Sequence, residues 1–283
     1  MKALIKPLLL IIALIIVIII AFNLHVLAGW GLILVLVGVM LFTSRSSIYA
    51  LIGSRAFAKG EMQKALVWYK KAFTSKPCPD KHRIGYGYLL MRSGDPVQAE
   101  QVLGQLIKAT KSRDTRVQAQ CNLATAYWLQ GKKSEGLILL EQVFEEYKNT
   151  LVYGNLGYFK ILHGDLNEAL AFNLEAYTYN EGDLTILDNL ALNYHLLGQA
   201  DEAQPLFEKL MLKTPKYAEP YYYYSQNLQQ QGKREEAIEQ INVALKKELS
   251  FVTPITRSQI EQEAEELNKE ELNKVEKITL GKG

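Results

Sequence analysis

Residues 187–215 read LDNLALNYHLLGQADEAQPLFEKLMLKTP, and two helical faces lie in it. Leu187, Leu190, Ala191 and Tyr194 recur at the three- and four-residue steps that share one side of a helix, and Ala203, Phe207 and Leu210 repeat the pattern after Gly198. The glycine between them marks a short turn joining two helices. Pro215 marks the end of the second helix. Pro205 lies inside it and predicts a weakened or kinked first turn.

Working outward, the same pattern returns along the chain. Gly60, Gly94, Gly131, Gly164, Gly198 and Gly232 are spaced by 34, 37, 33, 34 and 34 residues. Five residues after them stand Ala65, Ala99, Gly136, Ala169, Ala203 and Ala237; seven before stand Gly53, Gly87, Ala124, Gly157, Ala191 and Ser225. Two helices joined by a short turn approach closely only where both present small side chains, so these slots predict the crossing points. Large apolar residues fill the slot nine after each glycine, except at Asn173, where poorer packing is expected. The long interval predicts an extended turn at Lys111–Asp114. Gly85 and Gly87 fall inside a helix, where they serve close packing.

This pattern resembles the tetratricopeptide repeat over roughly Ser46–Leu249. The resemblance implies an all-α fold: a right-handed helical solenoid of about six helix-turn-helix repeats, residues 46–249, whose first helices line a concave groove. It also implies that the slot nine before each marker glycine faces that groove. Asn122, Asn155 and Asn189 hold this slot in three successive repeats, and Tyr223 holds it in the last. Asn both donates and accepts, so a row of them suits the main chain of an extended peptide. Tyr158, Tyr222 and Tyr223 are candidate aromatic anchors beside it, with Tyr88, Thr125, Trp128, Asp188 and Gln226 flanking. The plainer alternative has each Asn bonding a neighbouring helix and the tyrosines of Tyr221–Tyr224 forming an aromatic-heavy terminal core. Some repeat proteins of this family clamp a C-terminal carboxylate with basic and Asn residues over three repeats. In one register those slots read Lys81, Gly85, Asn122, Leu151 and Asn155; in the next they read Gln118, Asn122, Asn155, Thr185 and Asn189. Too few basic residues remain, so acidic chaperone tails are not expected ligands.

Ahead of the repeats, Pro7–Phe22 and Val26–Phe42 are unbroken apolar runs separated by Asn23-Leu24-His25. Each is near the lower length limit, about 17 residues, for a membrane-spanning helix. They predict a transmembrane helical hairpin (spans about 7–22 and 26–42) within an anchor domain of residues 1–45. A single anchor is the alternative. A cleaved signal peptide fits poorly, because the second run would keep the mature chain on the membrane. Lys2 and Lys6 precede the first run, Arg45, Arg55 and Lys59 follow the second, and the connector carries no Lys or Arg. The positive-inside rule then predicts a multi-pass cell-membrane protein with its repeats in the cytoplasm.

Pro254 breaks the pattern, and residues 250–283 predict a capping helix and tail. Ile260, Ala264, Leu267, Leu272 and Val275 form its loose apolar stripe; Leu280–Gly283 is expected to be disordered.

Only Lys2 and Lys6 carry charge among the first 43 residues, leaving 30 basic against 30 acidic residues in the rest. That balance argues against nucleic acid as a partner. Cys78 and Cys121 are too few for a disulfide framework. Cys78 and His82 come nearest to ligand spacing, but Pro77 and Pro79 flank the cysteine, so no metal is expected. No nucleophile elbow, P-loop or dinucleotide fingerprint is present, and neither a cofactor nor enzyme activity is expected. The sequence points to a membrane-anchored interaction scaffold with a protein or peptide partner in the groove. Two alternatives stand beside it: an extracytoplasmic repeat assembly factor, and a regulatory subunit of a membrane enzyme that works through its convex face or Ile255–Ile278.

Overall fold

The computed structural model describes residues 2–280, with side chains at Leu9 and from residue 12 to residue 269. The described residues form fourteen helices and no strand; Tyr217 and Glu248 make one isolated parallel bridge. The chain divides into two compact units, Met1–Leu89 and Leu90–Gly283.

The first unit holds α1 (Lys2–Leu24), α2 (Val26–Ala58), α3 (Met62–Thr74) and most of α4 (Asp80–Arg92). His25 is extended (φ −166°, ψ 134°) and separates α1 from α2; its Nδ1 accepts the Leu27 N–H at 3.2 Å, capping the new helix. Phe22 meets Trp30 edge-on at 5.8 Å, and a Cβ on Gly29 would sit 2.4 Å from the Phe22 ring. The helix then runs for 33 residues, through residue 45 and into the first repeat. No Gly or Pro interrupts residues 39–52, and Thr43 bonds back to the carbonyls of Val39 and Met40 at 2.9 and 3.1 Å, so nothing local stops it.

The crossing slot at Gly53 and the nine-before slot at Gly85, which meets Tyr69, explain the packing here. A Cβ on Gly53 of α2 or on Gly85 of α4 would lie 2.6 Å from the ring of Tyr69, so the two bare glycines make room for one aromatic ring. The ring's hydroxyl bonds Ser54 Oγ at 2.8 Å. Ser46 Oγ donates to the Ala72 carbonyl at 2.9 Å and lies 2.9 Å from His82 Nδ1. With that hydroxyl's proton already committed, His82 Nδ1–H is the donor to Ser46. His82 therefore ties α4 to α2 and α3, and burial lowers its pKa.

The second unit runs from the end of α4 through α5 (Pro96–Ala109), α6 (Arg113–Leu129), α7 (Lys133–Glu146), α8 (Thr150–His163), α9 (Leu166–Tyr179), α10 (Leu184–Leu196), α11 (Ala200–Met211), α12 (Glu219–Gln230), α13 (Arg234–Ala244) and α14 (Arg257–Leu280). From α5 on, each helix packs on the one that follows it, and the first helices α6, α8, α10 and α12 also touch in succession. That is the nearest-neighbour arrangement of a solenoid.

All six marker glycines have positive φ, between 73° and 118°. At five of them the following N–H reaches five residues back, as in Asp95 to Leu90 and Gln199 to Tyr194, at 2.9 to 3.0 Å. This left-handed closure satisfies carbonyls at the helix end, and a side chain there would be strained. As Asp95 caps α5, Asp165 after Gly164 caps α9: its Oδ1 accepts the N–H groups of Asn167 and Glu168, both at 3.0 Å.

Three expectations need correction or detail. The long interval does not lengthen the turn, which is only Thr110–Ser112; it lengthens α6 to 17 residues. Ser112 caps that helix through the Thr115 N–H at 3.3 Å, so the polar segment begins the helix. Pro205 lies inside α11, which still runs from Ala200 to Met211. Asn173 is fully buried beside Gly157, where a Cβ would stand 2.1 Å from its Oδ1. Its Nδ2 donates to Asn193 Oδ1 at 3.0 Å, while its Oδ1 has no partner, so a polar contact replaces an apolar one in the fourth repeat.

The first half of α14 covers the end of the stack. Ile260, Ala264 and Leu267 are buried in one core with Phe207, Tyr221–Tyr224 and Leu228. Arg257 holds the carbonyls of Ala244 and Leu245 at 3.2 and 3.3 Å. The side chains of Leu272 and Val275, and residues 281–283 of the tail, lie outside the described residues.

Candidate functional site

The inner face of the second unit is built by its first helices. Thr125 of α6, Asn155 and Tyr158 of α8, Asp188 and Leu192 of α10, and Tyr223 of α12 converge on one cavity of about 390 Å³. Leu184, Leu210, Pro215 and Pro220 add apolar wall. The segment between α13 and α14 crosses this face as a strap. Tyr158 OH donates to the Val252 carbonyl at 2.9 Å, and Ser250 N–H donates to Glu219 Oε1 at 2.8 Å. The Ala218 N–H donates to the Glu248 carbonyl at 3.0 Å. Farther along, Arg92 Nη1 donates to Tyr217 OH at 3.3 Å, and its Nη2 stands 3.9 Å from the Glu248 carboxylate.

Two carboxylates face this cavity. Asp188 makes no hydrogen bond or ion pair among the described residues, and burial followed by the charge of Glu219 pushes its carboxyl up to about 7. Glu219 is 9% exposed, and its Oε2 has no partner. Burial also raises the phenols of Tyr158 and Tyr223, so both stay protonated donors. Lys216 is the one Lys or Arg of the lining; its ammonium sits over the Tyr217 ring, 5.3 Å from the centroid.

The sequence-derived candidates separate. Asn155, Tyr158 and Tyr223 line the cavity together. Asn122 is half-buried and lies outside that lining. Asn122 and Asn155 each turn an amide back onto their own helix, to Gln118 O at 3.0 Å and Leu151 O at 2.7 Å. Asn189 is buried, and its Nδ2 donates to Gly154 O at 2.8 Å, so its donor is committed to the preceding first helix. Tyr222 faces α14 instead. Glu263 there accepts from Gln226 and Gln229 at 2.8 and 2.7 Å, and burial followed by Glu263 pushes the Tyr222 phenol up to about 12. All four tyrosines of 221–224 are buried: Tyr221 OH donates to Pro215 O at 3.3 Å, and Tyr224 stacks on Phe207 at 5.3 Å.

Sequence reasoning missed Glu219, Lys216 and the strap. Glu219 precedes Pro220 in a first helical turn, where an acid ordinarily reads as a solvated dipole partner. Nothing within its own helix signals the loop that covers it. Among the described residues no three His, Cys, Asp or Glu are grouped to hold a metal. One described helix, Val26–Ala58, is long and apolar enough to cross a membrane, and Ile12–Leu24 is a shorter apolar helix.

Family models for the tetratricopeptide repeat match residues 82–105, 116–154 and 186–209. No curated protein matches the chain by sequence. Solved structures share the fold. The Cut9 and Hcn1 hetero-tetramer of the APC/C aligns with TM-score 0.61 at 14% identity, covering 78% of this chain and 43% of that one. A thermophilic repeat protein of Thermus thermophilus aligns with TM-score 0.55 at 18% identity, covering 65% and 98%. The pilF protein of Pseudomonas aeruginosa aligns with TM-score 0.54 at 12% identity, covering 78% and 99%. The helix pairs, their positive-φ glycines and these matches agree, and the chain carries tetratricopeptide repeats in a helical solenoid.

Proposed function

We propose that the chain is a membrane-anchored scaffold that binds an extended segment of a partner protein on the inner face of its repeats. It does no chemistry of its own and serves assembly or turnover of membrane or envelope complexes. One observation carries the reading: side chains from four successive first helices converge on one cavity with apolar walls and polar groups, the usual composition of a ligand site. The anchor is residues 1–45 with two spans, the solenoid 46–249, and the cap and tail 250–283. Basic residues on both flanks of the hairpin, and none in its connector, support repeats on the cytoplasmic side of the cell membrane. Anchoring raises the effective concentration of the groove near other membrane proteins.

The test is recovery of partners from mild-detergent membranes with full-length protein, wild type against Asn155→Ala with Tyr158→Ala. At least a tenfold loss of recovered partner, with the helical melt preserved, is expected. Unchanged recovery would remove the groove from the reading and leave the convex face or α14 of a regulatory subunit. Asn189 is unsuitable here, because its amide bonds Gly154 and its loss would test packing. Sidedness is read at Cys78. It is part-exposed, whereas Cys121 is buried with its thiol pushed up to about 12, which keeps it unreactive. An impermeant maleimide should leave Cys78 unlabelled in intact cells and label it after lysis. Labelling in intact cells would favour the extracytoplasmic alternative.

A further inference from the structure

The two carboxylates of the cavity stand without a cation. Asp188 comes from α10 and Glu219 from the start of α12. Glu219 lines the cavity, spends Oε1 on the Ser250 N–H and leaves Oε2 buried and unpaired. Among the described residues Lys216 makes no ion pair with either; its ammonium is over Tyr217. The unpaired buried oxygen of Glu219 is costly unless a cation neutralises it, and the half-buried Asp188, on which the charge of Glu219 acts, adds a second acceptor. Beyond the carboxylates the lining offers apolar surface from Leu192, Leu210, Pro215 and the Tyr158 and Tyr223 rings. That combination suits a long aliphatic stem ending in a planar, weakly hydrated cation that can bridge two acceptors and lie on an aromatic face.

We propose that the cavity between α8, α10 and α12 is a subsite for one arginine side chain of an extended partner peptide, its guanidinium bridging Asp188 and Glu219. This rests on the groove reading above and gives it a ligand chemistry. The geometry also sets a proton linkage. Without ligand, Asp188 is pushed up toward neutral pH by burial and Glu219, with Lys216, Tyr217 and the protonated Tyr158 and Tyr223 phenols as the other titratable groups of the lining. An arriving guanidinium favours the ionised form, so binding releases a proton and weakens as pH falls below about 7.

The experiment uses full-length protein in detergent and three N-acetylated, C-amidated alanine-based octapeptides. The central residue is arginine, lysine, or citrulline, whose urea keeps the shape and removes the charge. The arginine peptide should bind at least tenfold tighter than the citrulline peptide. Its affinity should fall several-fold from pH 8 to pH 6, and calorimetry in buffers of different ionisation heat should show proton release. Asp188→Asn and Glu219→Gln, the second keeping the acceptor for Ser250, should each remove the preference for arginine over citrulline while leaving the helical melt in place. Equal binding of arginine and citrulline peptides would overturn the subsite and leave the groove reading standing. Equal binding of the lysine peptide would overturn the choice of arginine. Absence of binding by all three would overturn the subsite, while partner recovery judges the groove separately.

Discussion

Single residues carry the turn geometry, and substitution separates two kinds of glycine. Gly198 has φ 73°, where a side chain is strained although nothing lies within 4 Å, so Gly198→Ala should destabilise by about 1 kcal/mol or more. Gly104 lies inside α5 with ordinary φ and open space, so Gly104→Ala should stabilise by about 0.5–1 kcal/mol. Thermal melts of the two variants should move in opposite directions. Titration adds a second residue-scale expectation. Burial holds the His82 and His195 pKa values below their ordinary value, so stability present above about 6.5 is lost as pH falls. Asp188 has the opposite sign. Raised from 3.8 to about 7, it contributes stability below its unfolded pKa that is lost as pH rises through 7. Relative to Asp188→Asn, the wild type should lose melting temperature between pH 6 and pH 8. A constant difference across that range would remove Asp188 as the cause. The glycines were legible from spacing because a left-handed turn admits few residue types. The partners of Asn189 and Glu219 were not, because each lies about thirty residues away in sequence.

At the scale of helices, the terminal one bears on stability most directly. Ile260 is fully buried in the core formed with α12 and α13, and truncating it to Ala should cost about 2–5 kcal/mol. In a stack whose members touch only their neighbours, that loss should stay local. Amide exchange in Ile260→Ala should therefore quicken in α12–α14 and hardly change in α6–α7. Uniform quickening would mean the unit melts as one body. The buried Ile260, Ala264 and Leu267 of α14 were readable from helical period, as were the close crossings at Gly53, Gly136 and Gly157. The extent of α6 was not, since a polar run such as Lys111–Asp114 is compatible with either a loop or a capped helix start. The choice was settled by Ser112 capping Thr115 and Arg113 stacking 4.2 Å over Tyr147.

For the whole molecule, the repeat count and its all-helical class followed from one periodic pattern, because stacked hairpins need the same small and large residues at each step. The strap over the inner face has no such period. Residues 245–256 are held by Tyr158, Glu219 and Arg92, from three different helices, and only the folded chain brings these together. Tyr158→Phe would remove the hydroxyl that binds the Val252 carbonyl, and should raise protease cleavage within Ser250–Thr256 without lowering helix content. The 33 residues of α2 have a last consequence. At 1.5 Å per residue the helix is roughly 50 Å long, against about 30 Å for a bilayer core. If α2 crosses the membrane, the first repeat is mounted on a stiff mast with no swivel at its foot. A tilt of about 10° would sweep the tip of that mast through roughly 9 Å. Lipid composition, by setting the tilt, would then steer where the first repeat points.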